Sequence, residues 1–164
     1  RGPGALISEA AAQRVRRLID DAVTRGAELR AGGGVTGAFV QPTLLDHVTP
    51  AMQVYGEESF GPVAAILRAQ DEEEAVTISN DTEFGLVASV YSRDVSRALA
   101  LADRLETGAV HVNGPTVYDD PAMPFGGVKA SGYGRFGREA AIDEFTEQRW
   151  ITVQDAKRDF PFWT

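Results

Sequence analysis

The sequence LVASVYSRDVSRALALADRLETGAVHV, residues 86–112, gives the clearest indication of the fold. It begins with an apolar run from Leu86 to Tyr91, continues with a helical pattern around Ser96 to Leu105, and ends with a strand-like segment from Ala109 to Val112. A strand, a helix and a second strand in this order are typical of a right-handed crossover between parallel strands. The stretch therefore predicts a parallel α/β unit.

The same alternation begins upstream of this stretch. The segment from Val63 to Leu67 is a continuous apolar run, which is typical of a strand buried on both faces of a parallel sheet. Asp71, with Glu74 three residues later, predicts the start of a further helix, where the acidic run 71–74 favours the helix dipole. The fold class predicted from this rhythm is α/β, a parallel open sheet with flanking helices.

The N-terminal part is predicted to begin with a helix. Ser8 is a good N-cap, and Gly26 stands where a left-handed residue ends a helix. Apolar residues recur between them at helical spacing on one face, namely Val15, Leu18, Ile19, Ala22 and Val23. After a flexible turn at residues 32–34, Phe39 to Leu45 is predicted to form one short strand that includes Pro42.

Beyond Asn113 the sequence changes character. Residues 114–137 are rich in glycine and proline, and the aromatic side chains among them favour a long ordered loop, which in a compact domain is usually functional. A short helix around Glu139 to Glu144 and a strand from Trp150 to Val153 are predicted to follow. Because no later strand is available to it, the last strand either pairs within its own domain or adds to the sheet of another chain. These two alternatives are equally open.

Charge and composition exclude several functions. The chain has 16 basic and 24 acidic residues, a net charge of −8, and no basic stripe, so nucleic acid is not an expected partner. No apolar run approaches the roughly 20 residues that span a bilayer, so no membrane partner is expected. The absence of cysteine excludes disulfides and thiolate metal sites, and it is typical of a cytoplasmic protein.

The residues alone identify neither a metal site nor a nucleophile. His47 and His111 lie far apart without a nearby carboxylate cluster, so each is expected to have a structural role and no metal is predicted. The glycines of GYGRFG (132–137) have the spacing of a dinucleotide-binding loop, but no strand-like segment precedes them, which argues against that interpretation. Ser131 has no recognisable base partner. The composition and patterns therefore describe an acidic α/β domain with one functional-looking loop.

Three stretches together resemble one known family. They are EESFGPV (57–63), NDTEFGL (80–86) and PFGGVKASGYGR (124–135). Their order and spacing resemble the C-terminal part of NAD(P)-dependent aldehyde dehydrogenases, from about Gly2 to Gln154. The segment NGPT that starts at Asn113, together with Phe136, is similar to members that act on aromatic aldehydes of the salicylaldehyde, vanillin and benzaldehyde type.

The resemblance implies a site as well as a fold. Family members oxidise an aldehyde to a carboxylate through a thiohemiacetal on a cysteine, and hydride passes to NAD or NADP. The resemblance implies that Glu58 binds the hydroxyls of the nicotinamide ribose and that Phe60 packs near the nicotinamide. On the substrate side, it implies that Phe125 lines the mouth of the tunnel. Val117 and Tyr118 would give apolar and aromatic contact to the substrate ring.

The resemblance also implies a division of the chain and several missing parts. Residues 1–148 would be the C-terminal portion of the catalytic domain, and residues 149–164 an oligomerisation strand and tail in a dimer or tetramer. The nucleophilic cysteine, the general-base glutamate and the coenzyme-binding domain lie upstream in the family, so the chain alone is expected to be inactive. One alternative is a non-catalytic interaction or scaffold module with the same fold. Another alternative is a relative of the semialdehyde or glutamyl-phosphate reductases. The NGPT and GYGRF segments argue against this alternative.

Overall fold

The computed structural model describes residues 4–156. The chain divides into two units, the first ending at Thr82 and the second beginning at Glu83. The helices and strands of the first unit are α1 (Glu9–Thr24), β1 (Glu28–Ala31), β2 (Val35–Thr36), β3 (Phe39–Val40), β4 (Thr43–Asp46), α2 (Gln53–Gly56), β5 (Val63–Ala65) and α3 (Glu72–Asn80). Those of the second unit are β6 (Phe84–Gly85), β7 (Val87–Val90), α4 (Val95–Ala102), β8 (Ala109–Val112), β9 (Val128–Lys129) and α5 (Arg138–Phe145).

Helix α1 forms as its sequence predicts. The Ser8 hydroxyl accepts a hydrogen bond from the Ala11 N–H at 3.1 Å, and Gly26 takes a left-handed φ of 107° just after the helix ends. The buried face consists of Ala12, Val15, Leu18, Ile19 and Ala22. Val23, which was predicted to share this face, is 43% exposed, because it lies at the margin of the apolar stripe.

A three-stranded sheet in the order β1-β4-β5 forms the centre of the first unit. The central strand β4 is antiparallel to β1 and parallel to β5, with Thr43 opposite Val63 and Leu45 opposite Ala65. Helix α1 contacts both β3 and β4. The apolar core joins the buried face of α1 to residues of the strands and the following segment, among them Val40, Leu45, Val48 and Met52.

This unit differs from the sequence-based expectation in two places. The single strand predicted from Phe39 to Leu45 is divided at residues 41–42, so that β3 pairs with β2 while β4 enters the larger sheet. The proline there has no N–H to donate to a strand ladder, which favours the break. Residues 63–65 of the run from Val63 to Leu67 form a parallel strand, but Ala64 and Ala65 are exposed. It is an edge strand among the described residues, so the expectation of burial on both faces was wrong.

Helix α3 begins at the acidic run, as predicted. The Asp71 side chain accepts a hydrogen bond from the Glu74 N–H at 2.9 Å. The Glu74 carboxylate accepts from the Gln70 N–H at 2.6 Å, so the reciprocal bond of a capping box is displaced by one residue. Glu72 and Glu73 lie with Glu74 in the first turn, where carboxylates stabilise the helix dipole.

The second unit contains the crossover predicted from residues 86–112. Strands β7 and β8 are parallel and in register along their whole length, and α4 connects and contacts both. The Asp94 side chain caps α4 by accepting from the Arg97 N–H at 3.0 Å. The helix ends at Ala102 rather than at the predicted Leu105.

The segment 114–137 is an ordered loop, as predicted. Phe125 and Phe136 exchange two backbone hydrogen bonds of 2.8 Å each. Strand β9 within the loop pairs antiparallel with β6. The Arg135 guanidinium donates to two carbonyls of the same loop, at 2.8 and 2.7 Å. These hydrogen bonds fold the loop back on itself and give it a defined shape.

The last described segment confirms one prediction and corrects another. Helix α5 confirms the short helix predicted around Glu139 to Glu144. The strand predicted from Trp150 to Val153 does not form, since residues 146–154 have no regular secondary structure and Trp150 is 90% exposed. Pairing within its own domain was therefore wrong for the described residues, since this segment pairs with none of the strands there. Contact with another chain stays a prediction, and residues 157–164 of the predicted tail lie outside the described part.

The elements confirm the predicted α/β class with open sheets. Two parallel pairs, β4–β5 and β7–β8, occur beside antiparallel pairs, so the sheets are mixed rather than wholly parallel. Between residues 4 and 156, no helix combines the length and the apolar character that crossing a membrane requires.

Candidate functional site

The loop 57–61, which carries both predicted coenzyme contacts, directly follows helix α2. Two neighbouring helices hold α2 in place. The Gln53 N–H donates to the Asp21 carboxylate of α1 at 2.9 Å, and this hydrogen bond lowers the pKa of Asp21. The Tyr55 hydroxyl donates to the Asp81 carboxylate at the end of α3, which raises the pKa of Tyr55 to about 12. These two hydrogen bonds therefore fix the position of the helix from which the loop 57–61 continues.

Arg14 of α1 holds this loop through its main chain. Its guanidinium donates to the carbonyl of Glu58 at 2.6 Å and to that of Ser59 at 2.9 Å. It also pairs with the Glu57 carboxylate at 3.5 Å. The same guanidinium lies 5.9 Å from the centre of the Phe60 ring, within the range of a cation–π contact. One side chain thus contacts four consecutive residues of the loop.

Phe60 adopts an unusual backbone conformation. Its φ is 45°, a left-handed value that is rare for a bulky residue and is typical of functional sites. Its ring is 74% exposed. At the next residue, a Cβ on Gly61 would lie 2.7 Å from a methyl carbon of Val15, so the chain passes α1 where only glycine fits. The loop is therefore packed against α1 while the Phe60 ring faces outward.

The Glu58 side chain is exposed although its main chain is fixed. Its carboxylate forms no hydrogen bond or ion pair with any residue in the described part of the chain. An ionised carboxylate has acceptors only, so it is suited to the paired hydroxyls of a sugar. The arrangement fits the expected contact with a nicotinamide ribose, and that contact stays a prediction.

A small pocket of the second unit lies between β8 and the loop that follows it. Its volume is about 70 Å³. It is lined by Ala109, His111, Tyr118, Asp119, Asp120, Met123, Pro124 and Phe125. Two of the predicted substrate contacts, Tyr118 and Phe125, thus lie in one pocket. Val117 does not line it and is 87% exposed.

His111 is the residue of this pocket that sequence reasoning missed. It lies on β8 two residues after Ala109, and residues at this spacing project from the same face of a strand. Its ring centre is 6.0 Å from that of Tyr118, with the ring planes at 84°, an edge-to-face contact. The expectation of a structural role rested on the separation of the two histidines in the sequence and on the lack of a nearby carboxylate cluster. The spacing indicates a shared face, but it does not say which loop covers that face.

A third cluster surrounds His47 in the first unit. Potential ligand atoms of His47, Glu28 and Asp46 lie within 4.8 Å of one another, which corrects the expectation that no carboxylates are near this histidine. Arg68 donates to both oxygens of Asp46, at 3.0 and 2.5 Å. These hydrogen bonds lower the pKa of Asp46 to about 2, against the opposing effect of burial. The cluster is organised around an ion pair.

Acidification is expected to destabilise the chain through Asp46. Its pKa falls from an ordinary 3.8 to about 2 in the folded chain. The ionised form therefore contributes stability above pH 3.8, and this contribution is lost as the pH falls from 3.8 towards 2. The difference in free energy of unfolding between the parent chain and Asp46→Asn, measured in urea, should shrink over this window.

The exposed carboxylate of Asp20 provides a control for that experiment. Asp20→Asn removes one negative charge from α1, where its pair with Arg16 is exposed and contributes little. A difference between the parent chain and Asp46→Asn that stays constant from neutral pH down to pH 2 would contradict the role assigned to the Arg68 pair.

Ser131 and the glycines after it have structural roles in the loop. The Ser131 hydroxyl oxygen accepts from the Gly85 N–H at 2.9 Å and so joins the loop to β6. Strand β9, which precedes the glycines, runs antiparallel to β6, whereas a dinucleotide fingerprint belongs to a parallel βαβ unit. Gly132 and Gly134 have left-handed φ values of 127° and 75°, which the tight turns of the loop require.

Comparison with known sequences gives a family match over most of the chain. The sequence model of the aldehyde dehydrogenase family matches residues 2–151. Vanillin dehydrogenase from Pseudomonas sp. (strain HR199 / DSM 7063) is 54% identical over 158 residues, which cover 96% of this chain and 33% of that protein. The chain therefore spans about a third of the length of this curated relative.

Solved structures show the same relationship. A salicylaldehyde dehydrogenase from Pseudomonas putida G7, in complex with salicylaldehyde, has 42% identity and a TM-score of 0.87, covering 97% of this chain and 33% of that chain. A Mycobacterium tuberculosis aldehyde dehydrogenase in complex with NAD+ has 36% identity and a TM-score of 0.84, covering 95% and 33% of the two chains. Similarity at this level confirms the fold that the three motifs implied.

Proposed function

Because the chain belongs to the aldehyde dehydrogenase family, we propose that it forms part of an enzyme that oxidises an aromatic aldehyde to a carboxylic acid. NAD or NADP would accept the hydride. Its similarity to proteins named vanillin and salicylaldehyde dehydrogenase supports an aromatic substrate. In this proposal, the chain supplies a coenzyme contact, part of the wall of the substrate tunnel and a contact between subunits.

The anchored loop 57–61 is the observation that carries this proposal. Arg14 fixes the main chain of Glu58 and Ser59, while the Glu58 carboxylate and the Phe60 ring remain exposed. A loop whose main chain is already ordered binds a ligand at a smaller cost in conformational entropy. Glu58 would accept hydrogen bonds from the ribose hydroxyls, and Phe60 would pack near the nicotinamide.

The pocket of the second unit supports the substrate side of the proposal. Tyr118 and Phe125 both line it, and aromatic side chains there would contact a substrate ring edge-on or in an offset stack. Val117 lies outside the pocket, so it is proposed as a contact at the rim only. A mostly apolar wall with a few polar groups is the usual lining of a small-molecule site.

The nucleophile and the general base would come from residues outside this sequence. The chain contains no cysteine, and a thiolate is the nucleophile that the family resemblance implies, so no turnover is expected from these 164 residues alone. The exposed side chains of Trp150, Ile151 and Val153 support a contact with a second subunit in a homo-oligomer. A cytoplasmic setting belongs to the same proposal, because the chain has no cysteine with which to form disulfides.

The test of this function uses the full-length protein that contains the chain. We expect it to oxidise benzaldehyde, salicylaldehyde or vanillin with NAD+ or NADP+, measured by the absorbance of the reduced coenzyme. Glu58→Gln is expected to lower kcat/KM for the coenzyme about 10- to 100-fold, because a hydrogen bond to a charged group contributes roughly 1.5–3 kcal/mol. Failure to oxidise all three aldehydes with either coenzyme would overturn the proposed function.

Glu57→Gln is the matched control for this experiment. It removes the same charge one residue away, and the pair of Glu57 with Arg14 is long, at 3.5 Å, and exposed. Exposed pairs contribute little, so kcat/KM for the coenzyme should change less than about fivefold. Equal effects of the two substitutions would remove Glu58 from the coenzyme contact and leave the oxidation of aromatic aldehydes untouched.

A further inference from the structure

His111 is a half-buried side chain with unused hydrogen-bonding capacity. It lies on β8 opposite Ser89 of β7 and lines the pocket beside Tyr118. Apart from the ring contact with Tyr118, its imidazole forms no hydrogen bond or ion pair with any residue from 4 to 156. A neutral imidazole has one N–H donor and one acceptor nitrogen. Among the described residues, no side-chain nitrogen or oxygen that is sealed from solvent lacks a hydrogen-bond partner, so the ring nitrogens of His111 are open to solvent and to a ligand group.

The rest of the pocket is suited to one substituent of an aromatic ring. Ala109 and Phe125 place apolar and aromatic surface around the imidazole. The volume of about 70 Å³ has room for one small group and not for a whole ring. A substrate ring at the mouth of this pocket would therefore place one of its substituents within reach of His111.

The other polar groups of the pocket are poorer partners for a hydroxyl. Asp119 is exposed, and the carboxylate of Asp120 already accepts from the Ala122 N–H at 2.9 Å. A carboxylate only accepts, whereas a hydroxyl both donates and accepts. Tyr118 is 59% exposed, so water can satisfy its hydroxyl. His111 is the half-buried group of the pocket that can serve as donor or acceptor.

We propose that His111 hydrogen-bonds a hydroxyl group on the ring of the aromatic substrate and so discriminates hydroxybenzaldehydes from benzaldehyde. The assignment rests on the proposed function, because the pocket must lie on the path of the substrate. A phenolic hydroxyl donates to the unprotonated ring nitrogen of His111 or accepts from its N–H. A bound ring would cover the pocket and exclude water from the imidazole. An analogue without the hydroxyl would then leave the imidazole unpaired, so the site would discriminate against it.

The test compares substrates in the full-length protein. His111→Phe keeps an aromatic side chain but removes both hydrogen-bonding nitrogens. We expect kcat/KM to fall about tenfold for at least one of the 2-, 3- and 4-hydroxybenzaldehydes, and to change less than about twofold for benzaldehyde. His111→Gln, which restores a donor and an acceptor, should recover part of the loss. His47→Asn is the control, because it removes the other histidine and asparagine tolerates the left-handed φ of 56° there.

A second measurement does not depend on whether the variants fold. Nitrogen NMR of the histidine rings in the wild-type protein should show a change at His111 when the preferred hydroxybenzaldehyde is added, and a smaller one with benzaldehyde. Equal changes with both ligands, or equal losses of kcat/KM on both in His111→Phe, would overturn the assignment and leave the proposed function intact. Failure of the wild-type protein to oxidise any aromatic aldehyde would instead overturn the proposed function and the assignment with it.

Discussion

Replacing Gly108 with alanine is expected to lower the free energy of unfolding of the chain by about 3 kcal/mol or more. The new Cβ would overlap the carbonyl oxygen of Gly126 and lie 2.7 Å from its carbonyl carbon. It would also lie 3.1 Å from the Cα of Gly127. These atoms belong to the main chain, which cannot rotate aside as a flexible side chain can. The loop that contains Phe125 would therefore have to move away from the start of β8.

Movement of Gly108 itself is no easier than movement of the loop. Its N–H donates to the carbonyl of Gly85 at 3.1 Å, and Ala109, the next residue, begins the pairing of β8 with β7. A shift of the strand would break this register. Unfolding in urea, monitored by circular dichroism, measures the difference in free energy of unfolding between Gly108→Ala and the parent chain.

Gly114→Ala is the matched control in the same unit. Neither Gly108 nor Gly114 has a positive φ. The two substitutions therefore differ in the room available to the new Cβ and not in backbone strain. A Cβ at Gly114 would meet only the Cβ of His111, at 3.6 Å, an ordinary contact. This variant should change the free energy of unfolding by less than about 0.5 kcal/mol. Equal stability of the two variants would show that the loop can move away from β8 at little cost.

Arg14→Met is expected to release the loop 57–61 from α1. Methionine keeps much of the apolar stem but loses the hydrogen bonds to the carbonyls of Glu58 and Ser59 and the contact with the Phe60 ring. Hydrogen bonds from a charged donor contribute roughly 1.5–3 kcal/mol each. Because the Arg14 side chain is 37% exposed, water already competes for its hydrogen bonds. Their loss is therefore expected to lower the free energy of unfolding by about 2 kcal/mol.

The same substitution is expected to affect coenzyme binding if the proposed function is correct. A loop that must be ordered on binding raises the KM for the coenzyme, by about tenfold for each 1.4 kcal/mol of ordering free energy. Faster amide hydrogen exchange across residues 57–61 would show the loosened loop directly.

Two further substitutions sharpen the Arg14 experiment. Arg14→Lys should recover only part of the loss, because an ammonium cannot reach two carbonyls with the planar fork of a guanidinium. Arg17→Met is the control, since Arg17 lies exposed on the same helix. Unchanged hydrogen exchange in Arg14→Met, or an equal effect of Arg17→Met, would show that Arg14 does not hold the loop.

Local chemistry accounts for the parts of the fold that were predictable from sequence. Ser8 and Asp71 each accept a hydrogen bond from the main-chain N–H three residues later, and such caps depend only on neighbouring residues. The parallel crossover of residues 86–112 was predictable for a similar reason, because its apolar runs and its helical spacing are contiguous in the chain. The motifs at residues 57–63, 80–86 and 124–135 together pointed to the family on residue order and spacing, before any distance was known.

The missed or wrong predictions depend on contacts between distant residues. Arg14 and Glu58 are 44 positions apart, and no pattern within either segment indicates that they meet. The run at residues 63–67 has the composition of a buried strand, but burial depends on which neighbours the chain supplies, and the described residues leave it at an edge. The segment 150–153 has a strand-like composition, yet a strand needs a partner edge for its hydrogen bonds.

The fold class, the starts of α1 and α3 and the family of this chain follow from the amino-acid sequence, because caps, periodicity and motifs are properties of residues close together in the chain. The construction of the candidate sites depends on the three-dimensional packing. This packing brings the guanidinium of Arg14 to the main chain of Glu58, and it places His111 in one pocket with Tyr118 and Phe125. Such juxtapositions arise from packing between elements far apart in the chain, where only the three-dimensional fold sets the distances.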